Sequence, residues 1–270
     1  MAPASPVDLL MALGYLSALN LKRYLVAVGL AFAAIWCLRR LRDARRAPLQ
    51  PGRTGWPQRR RELLLSLSTL VIGAAVVPVM MVFGWSPQRA FYADIDTHGW
   101  VYFGLSVLLM MAVRDTLFYF SHRAMHHRAV FRFFHRSHHR SVKPNPWTGY
   151  AVHPLESLFD AVLPTLVILF LVPKHPVAYL IFLWIDVVYA VYGHMGIELY
   201  PRGFSRHWLG RWINTATAHD AHHATGKWNY SYYFLFWDRV LGTLDPAYDQ
   251  RFDEATLPAT ARTQSATAKG

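Results

Sequence analysis

From Leu63 to Phe83 the chain carries no charged residue. A helix needs about 20 apolar residues to cross the hydrocarbon core of a bilayer, and this run meets that length. Four further stretches resemble it. They are Leu21 to Leu38, almost all apolar after Lys22 and Arg23; Gly99 to Phe120, with Arg114 and Asp115 near its end; Leu155 to Val172; and Pro176 to Gly193. Pro173, Lys174, His175 and Pro176 form the short hairpin between the last two. Residues 7–20 either extend the first stretch or lie along the membrane surface, and both readings stay open. The expected fold class is an all-α integral membrane protein. It has about four principal transmembrane helices, an N-terminal apolar segment and a cytoplasmic, histidine-rich helical cap.

Composition agrees with a membrane body: 53% of the 270 residues are hydrophobic and only 16% are charged, against roughly 25% charged in a soluble domain. A single cysteine, Cys37, excludes a disulfide scaffold within the chain. The formal net charge of +12 suits nucleic acid or a membrane, and its placement decides between them. Arg39, Arg40, Arg42, Arg45, Arg46, Arg53, Arg59, Arg60 and Arg61 cluster between the first two apolar stretches, where the positive-inside rule puts a cytoplasmic loop. Gly84 to His98 has only Arg89 against Asp94 and Asp96 and is expected to face out. Counting spans returns Ser121 to His153, again basic, to the cytoplasm, with everything from His194 onward. The amino terminus then lies outside. No basic n-region precedes Leu9, so no cleavable signal peptide is expected. A charge arranged this way leaves no nucleic-acid partner. Trp85, Trp100, Trp208 and Trp212 are expected to flank spans at headgroup level. The organisation expected is a membrane segment and Arg-rich linker over residues 1–62, a catalytic domain over 63–249 and a disordered tail over 250–270. The tail reading rests on Asp253 to Gly270, rich in Ala and Thr and free of aromatics.

Thirteen of the fourteen histidines fall between His122 and His223. They are grouped as His122-x-x-x-His126-His127, His135-x-x-His138-His139 and His219-x-x-His222-His223. A chain with this histidine content yields one H-x-x-H-H triplet by chance roughly 0.04 times, so two argue for a shared purpose. Spacings of three and four put side chains on one helix face. His127 points about 100° away from His126 and falls outside the set. Headgroup contact or pH sensing explains a lone histidine, whereas three groups on one side of the membrane point to metal. Eight or more imidazoles exceed the needs of one four- to six-coordinate ion, which makes two metals the economical reading. Structural zinc closes with four ligands, usually some of them Cys, and the groups contain none. A metal transporter or metal-binding membrane protein is the competing class. It wants ionisable residues along several spans, where only Asp115 and Asp186 are expected.

Taken together, these residues resemble the membrane-bound fatty acid hydroxylase/sterol desaturase superfamily over roughly Arg60 to Thr243. Asp115-x-x-x-Tyr119-x-x-His122-Arg123-x-x-His126 is similar to the family's first histidine box, His135-x-x-His138-His139 to the second and His219-x-x-His222-His223 to the third. Asn145-Pro146-Trp147-Thr148, leading to His153-Pro154-Leu155-Glu156, is similar to its link into the next hairpin. His194 in Gly193-His194-Met195-Gly196 resembles the histidine after that hairpin, and Trp237-Asp238-Arg239-x-x-Gly242-Thr243 the tail of the third box. The resemblance implies an oxygenase with two Fe ions, for which zinc can substitute in a purified sample, acting on a lipid with O2. Hydroxylation or desaturation of a sterol-like or fatty acyl substrate is implied first, and a carotenoid or ether-lipid oxygenase on the same site second. Redox-inert zinc cannot generate the oxidant an unactivated C–H bond demands. No Gly-rich nucleotide fingerprint is present, so a separate reductase or small electron carrier is expected. Arg128, Arg132 and Arg136 suit docking of an acidic carrier or, equally, snorkelling toward anionic lipid.

The metal ligands expected are His122, His126, His135, His138, His139, His219, His222 and His223, with His194 added on the resemblance. His153 either ligates or hydrogen-bonds a ligand. Asp115, seven residues before His122 on one helical stripe, is expected to orient a ligand histidine, and Asp186, eight before His194, likewise. His98, His175 and His207 are expected at the interface outside the site. Leu63–Phe83 and Leu155–Val172 are expected to offer almost no polar groups to a charged substrate.

Overall fold

The computed structural model describes residues 5–40, 48–50, 52, 54–85 and 90–257. Arg42, Arg45, Arg46, Arg53 and Arg89, the side chain of Arg39, and the tail from residue 258 lie outside the described residues. The described chain is helical, with no strand beyond two isolated bridges. Its elements are α1 (Pro6–Arg40), α2 (Trp56–Val82), α3 (Gly99–Met125), α4 (Phe131–Phe134), α5 (Arg136–His139) and α6 (Pro154–Ser157). A π-helical turn (Leu158–Val162) joins α6 to α7 (Leu163–Leu171), followed by α8 (Pro176–Gly193), α9 (Ala216–Thr225), α10 (Phe236–Val240) and α11 (Tyr248–Thr256). Five helices are long and apolar enough to cross a membrane: α1, α2, α3, the continuous α6–α7 segment and α8. Residues 7–20, left open by the sequence, continue α1 without a break.

Local chemistry sets the ends of these spans. α6 and α8 open with the same device: His153 and His175 each accept a backbone N–H two residues on through Nδ1, at 3.3 and 3.2 Å, and a proline follows at the first helical position. Pro164 has no N–H to bond the Asp160 carbonyl, and the helix widens into its π turn just before it. At the same end as the α8 start, Lys174 is fully buried, and its ammonium donates to the carbonyls of Ala90, Ile168 and Val172 at 3.2, 3.1 and 2.9 Å. Three donors meet three acceptors.

The spans pack through modest apolar clusters. Tyr24, Ala27, Val28 and Ala31 of α1 meet Leu70 of α2 and Val187 and Val191 of α8, while Val107 and Met110 of α3 meet Ile168 and Phe182. Small residues let these helices approach, as membrane packing requires. Outward faces stay apolar, with Leu30, Val71, Val79, Val101 and Leu108 exposed. α3 and α8 end, and α6 begins, at one end of the bundle, and the remaining helices form a cap there.

Three expectations change. Residues 250–256 belong to the cap, because α11 runs to Thr256 and buries Phe252 against Ala218 and Leu235. Trp208 and Trp212 belong to cap turns and not to the ends of a span, and Trp212 lines a pocket with Phe234, Phe236 and Trp237 beside Ala112, Asp115 and Thr116 of α3. Thr116 precedes His122 by six residues, about 9 Å along the helix, so this part of the cap lies beside the span. Leu155–Val172 is not free of ionisable groups, since Glu156 and Asp160 lie within it.

Candidate metal centre

Two sets of imidazoles converge at the cap. His122, His126, His135, His139 and His222 present nitrogens within 4.8 Å of one another, and His138, His194, His219 and His223 do the same. Each set is able to hold a metal ion. Together they are the nine histidines expected as ligands, and the Gly193-His194 turn places the one that no local repeat announces. The chain brings them together by folding α4 and α5 back under the end of α3 and laying α9 across the end of α8. Seven are buried, with His126 and His139 half-buried.

The outer nitrogens decide what the inner ones can do. His122 Nδ1 donates to the Tyr230 carbonyl at 2.8 Å, and His135 Nδ1 to Glu156 Oε1 at 2.5 Å. His138, His194 and His222 donate through Nδ1 to the carbonyls of Ala151, Ala190 and Trp228 at 3.3, 2.7 and 2.7 Å. A carbonyl or carboxylate only accepts, so a neutral ring bonded this way carries its lone pair on Nε2. Those lone pairs face each other: His122 Nε2 lies 2.9 Å from His135 Nε2, and His194 Nε2 lies 3.3 Å from His138 Nε2. Opposed lone pairs at these distances repel unless a cation lies between them. Burial keeps the rings from supplying that charge as protons: it holds His194 down to about 4 and, aided by neighbouring imidazoles, His126 to about 3 and His139 to about 2. His126 Nε2 and both nitrogens of His223 are buried without any hydrogen-bond partner. The donor set therefore fits metal, and its all-imidazole character suits iron among other borderline ions.

A single loop orients much of this. Asn229 adopts φ +58, and the carbonyls on either side of it, Trp228 and Tyr230, turn toward His222 and His122. Its side chain donates to the Ala218 carbonyl and accepts from Asp245 N, both at 2.9 Å. Five consecutive backbone amides after it bind two carboxylates. Tyr230 and Ser231 donate to Asp238, and Tyr232, Tyr233 and Phe234 to Asp115 Oδ1. Asp115 thus clamps the loop that orients His122 and touches no histidine itself, contrary to expectation. Asp186 also misses the histidines: it accepts from Arg114 Nε at 3.2 Å and from the hydroxyls of Tyr233 and Tyr150 at 2.7 and 3.4 Å. His153 caps α6 and joins neither set. His98, His127, His175 and His207 also stay outside both. Sequence reasoning missed Glu156 as the partner of His135. Its signal was a carboxylate three residues into a helix that follows two histidine groups.

Beneath the histidines a cavity runs down between the helices. His135, His138, His194 and His219 line one end, and Ile168, Tyr179 and Phe182 lie toward the other. Tyr179 precedes His194 by fifteen residues, about 22 Å of helix. The walls are mainly apolar, crossed by a belt of Arg114, Asp160, Asp186 and Tyr232.

A helical membrane body that gathers nine imidazoles above an apolar cavity defines a membrane-embedded metalloprotein. The profile of the family described as Fatty acid hydroxylase matches residues 107–243, which run from within α3 to just past α10. The chain belongs to that family. It is 31% identical over 166 residues to a Delta(7)-sterol 5(6)-desaturase of Gibberella zeae, covering 58% of this chain and 49% of that one. It is 32% identical over 154 residues to the lathosterol oxidase of Rattus norvegicus, covering 56% and 50%. A second Delta(7)-sterol 5(6)-desaturase, from Aspergillus fumigatus, is 28% identical over 184 residues. The match spans about half the length of these relatives. No solved structure matches the chain.

Proposed function

We propose that the protein is a membrane-bound diiron oxygenase that hydroxylates or desaturates a lipid, sterol-like or fatty acyl, using O2 and electrons from a separate carrier. The observation that carries this reading is the pair of imidazole sets with opposed lone pairs at the head of an apolar cavity. His122, His126, His135, His139 and His222 would hold one iron, and His138, His194, His219 and His223 the other. Bound iron supplies the redox chemistry for O2 that zinc lacks. The chain's own residues do the rest. Glu156 and the carbonyls of Ala151, Ala190, Trp228 and Tyr230 fix five rings with Nε2 forward. Burial of the rings excludes bulk water from the reacting end. The cavity shelters a chain or ring system that enters from the bilayer, and the sterol substrates in the relatives' names favour a sterol-like lipid.

We place the histidine end on the cytoplasmic side, on the strength of the arginines between α1 and α2 and of the basic α3–α6 segment. Arg128, Arg132 and Arg136 are exposed there and offer a face to an acidic electron carrier. The test is lipid profiling of a host with and without the gene. A lipid gaining one oxygen or losing two hydrogens is expected. A changed soluble metabolite beside an unaltered lipid profile would overturn the reading.

A further inference from the structure

The cap keeps an apolar face that it does not bury. Trp208, Leu209, Trp212, Phe236 and Val240 are all exposed. They stand on two neighbouring segments, joined where Ile213 bridges Phe234 and where Leu235 N donates to the Trp212 carbonyl at 2.8 Å. Exposed aromatic surface of this kind marks a surface that meets a partner.

The position of the face says what that partner is. It joins the outward side of α3 through a chain of rings: Phe120 to Trp237 at 5.2 Å, Trp237 to Phe236 at 5.1 Å and Phe236 to Trp212 at 6.3 Å between centroids. Trp237 Nε1 also donates to Thr116 at 3.1 Å. Leu105, Leu109 and Ala112 continue the same exposed stripe along α3. Trp100, exposed at the start of α3, marks the opposite interface. Counted from it, Ala112 lies about 18 Å, Thr116 about 24 Å and Phe120 about 30 Å along the helix. The hydrocarbon core is about 30 Å thick, and any tilt of α3 carries these residues deeper into it. The rings beside Ala112 and Thr116 are therefore level with acyl chains, not with water.

Charge at the edge of the face fits the same surroundings. The guanidinium groups of Arg211 and Arg239 lie 5.3 and 5.8 Å from the Trp212 ring centroid, and Arg239 Nε donates to the Arg211 carbonyl at 2.8 Å. An indole flanked by two long cations suits the headgroup level, where the ring rests on chains and the cations snorkel to phosphate. A second copy of the chain would also cover apolar surface, but continuity with the lipid-facing stripe of α3 favours the bilayer.

We infer that this side of the cap is immersed in the bilayer: α10 and the turns from Trp208 to Trp212 sink among the lipids of the leaflet on the histidine side, with Arg211 and Arg239 at the phosphates. The cap is then held by lipid as well as by the spans. The bilayer anchors the end of the segment whose carbonyls orient His122 and His222.

The test is spin-label accessibility on the full-length protein in vesicles of phosphatidylcholine and phosphatidylglycerol. Cys37→Ser removes the one native thiol, and a nitroxide is then attached to Leu209→Cys or Val240→Cys. Leu108→Cys on the lipid-facing side of α3 reports the bilayer, and Lys227→Cys, beside Gly226 that lies against His126, reports water. Oxygen enters the bilayer, whereas chromium oxalate stays in water. Its negative charge is drawn to Arg211 and Arg239, so protection there cannot arise from repulsion. The ratio of oxygen to chromium accessibility at 209 and 240 is expected to exceed that at 227 by about tenfold or more, since hydrocarbon excludes a multivalent ion. Ratios at both positions equal to that at 227 overturn the inference. Protection from both reagents overturns it too, because a protein surface then covers the face. Either position alone decides if the other variant fails to insert.

Discussion

A carboxylate 2.5 Å from His135 Nδ1 does two things at once: it fixes Nε2 as the free lone pair and makes the ring a stronger donor to a cation. Glu156→Leu is therefore expected to weaken metal retention about 10–100-fold. Glu156→Gln, whose amide oxygen still accepts, should weaken it less, and chelator titration of the loaded protein checks both. Equal retention in Glu156→Leu and the unmodified protein would refute the role. Acid should act on the same residues. His194, His126 and His139 sit near 4, 3 and 2 when folded and return to about 6.5 in an unfolded chain. Below about pH 6.5 the unfolded state binds more protons, so stability falls as pH drops toward the folded values. Metal-free protein is expected to lose near-UV circular dichroism at a higher pH than loaded protein, and coincident midpoints would count against this. Eight of the nine histidines were legible because spacing puts them on common faces, and His194 came only from the resemblance. Their partners were not: the carbonyls of Trp228, Tyr230 and Ala190 belong to the backbone and leave no mark in the side-chain pattern.

The segment from Trp228 to Phe234 behaves as an element even though it has no regular structure. Its shape depends on Asn229 in the left-handed region and on five amides shared by Asp115 and Asp238. Asn229→Ala should destabilise the cap by about 2 kcal/mol, combining backbone strain with two lost hydrogen bonds. Asn229→Gly loses only the hydrogen bonds and should cost about half as much, which thermal unfolding in detergent can separate. Sequence reasoning aimed Asp115 at a histidine because helical register puts it below His122. Register gives a face, however, and cannot show that a loop over a hundred residues later fills the space between. The spans were easier to read. Leu63–Phe83 coincides with α2 to within a residue at its far end, and His153, whose role spacing left open, turns out to cap α6 in the way His175 caps α8.

At the scale of the whole molecule, each proposed ion ties together parts of the chain that are far apart in sequence. One would join α3, the α4–α5 segment and α9; the other would join α5, the end of α8 and α9. The protein is expected to carry close to two metals per chain by elemental analysis after growth with iron, and no more than one would refute the two-site assignment. His139→Ala and His223→Ala should abolish turnover, while His127→Ala should keep it. His175→Ala should cost about 1 kcal/mol as a lost cap and leave the metal in place.

The order of these histidines along the chain carries a consequence for biosynthesis. A ribosome delivers His122 with α3, but His222 and His223 emerge only with α9, after α8 has been made. A nascent chain that has reached Gly193 holds all five apolar helices and four of the five imidazoles of one set, yet only His138 of the other. Arrested there, it is expected to insert into the membrane and to bind at most one metal weakly. The second set, with only His138 in place, cannot take up its ion until α9 has been made, so the two sites are expected to fill in order and the second only after the apolar helices are complete.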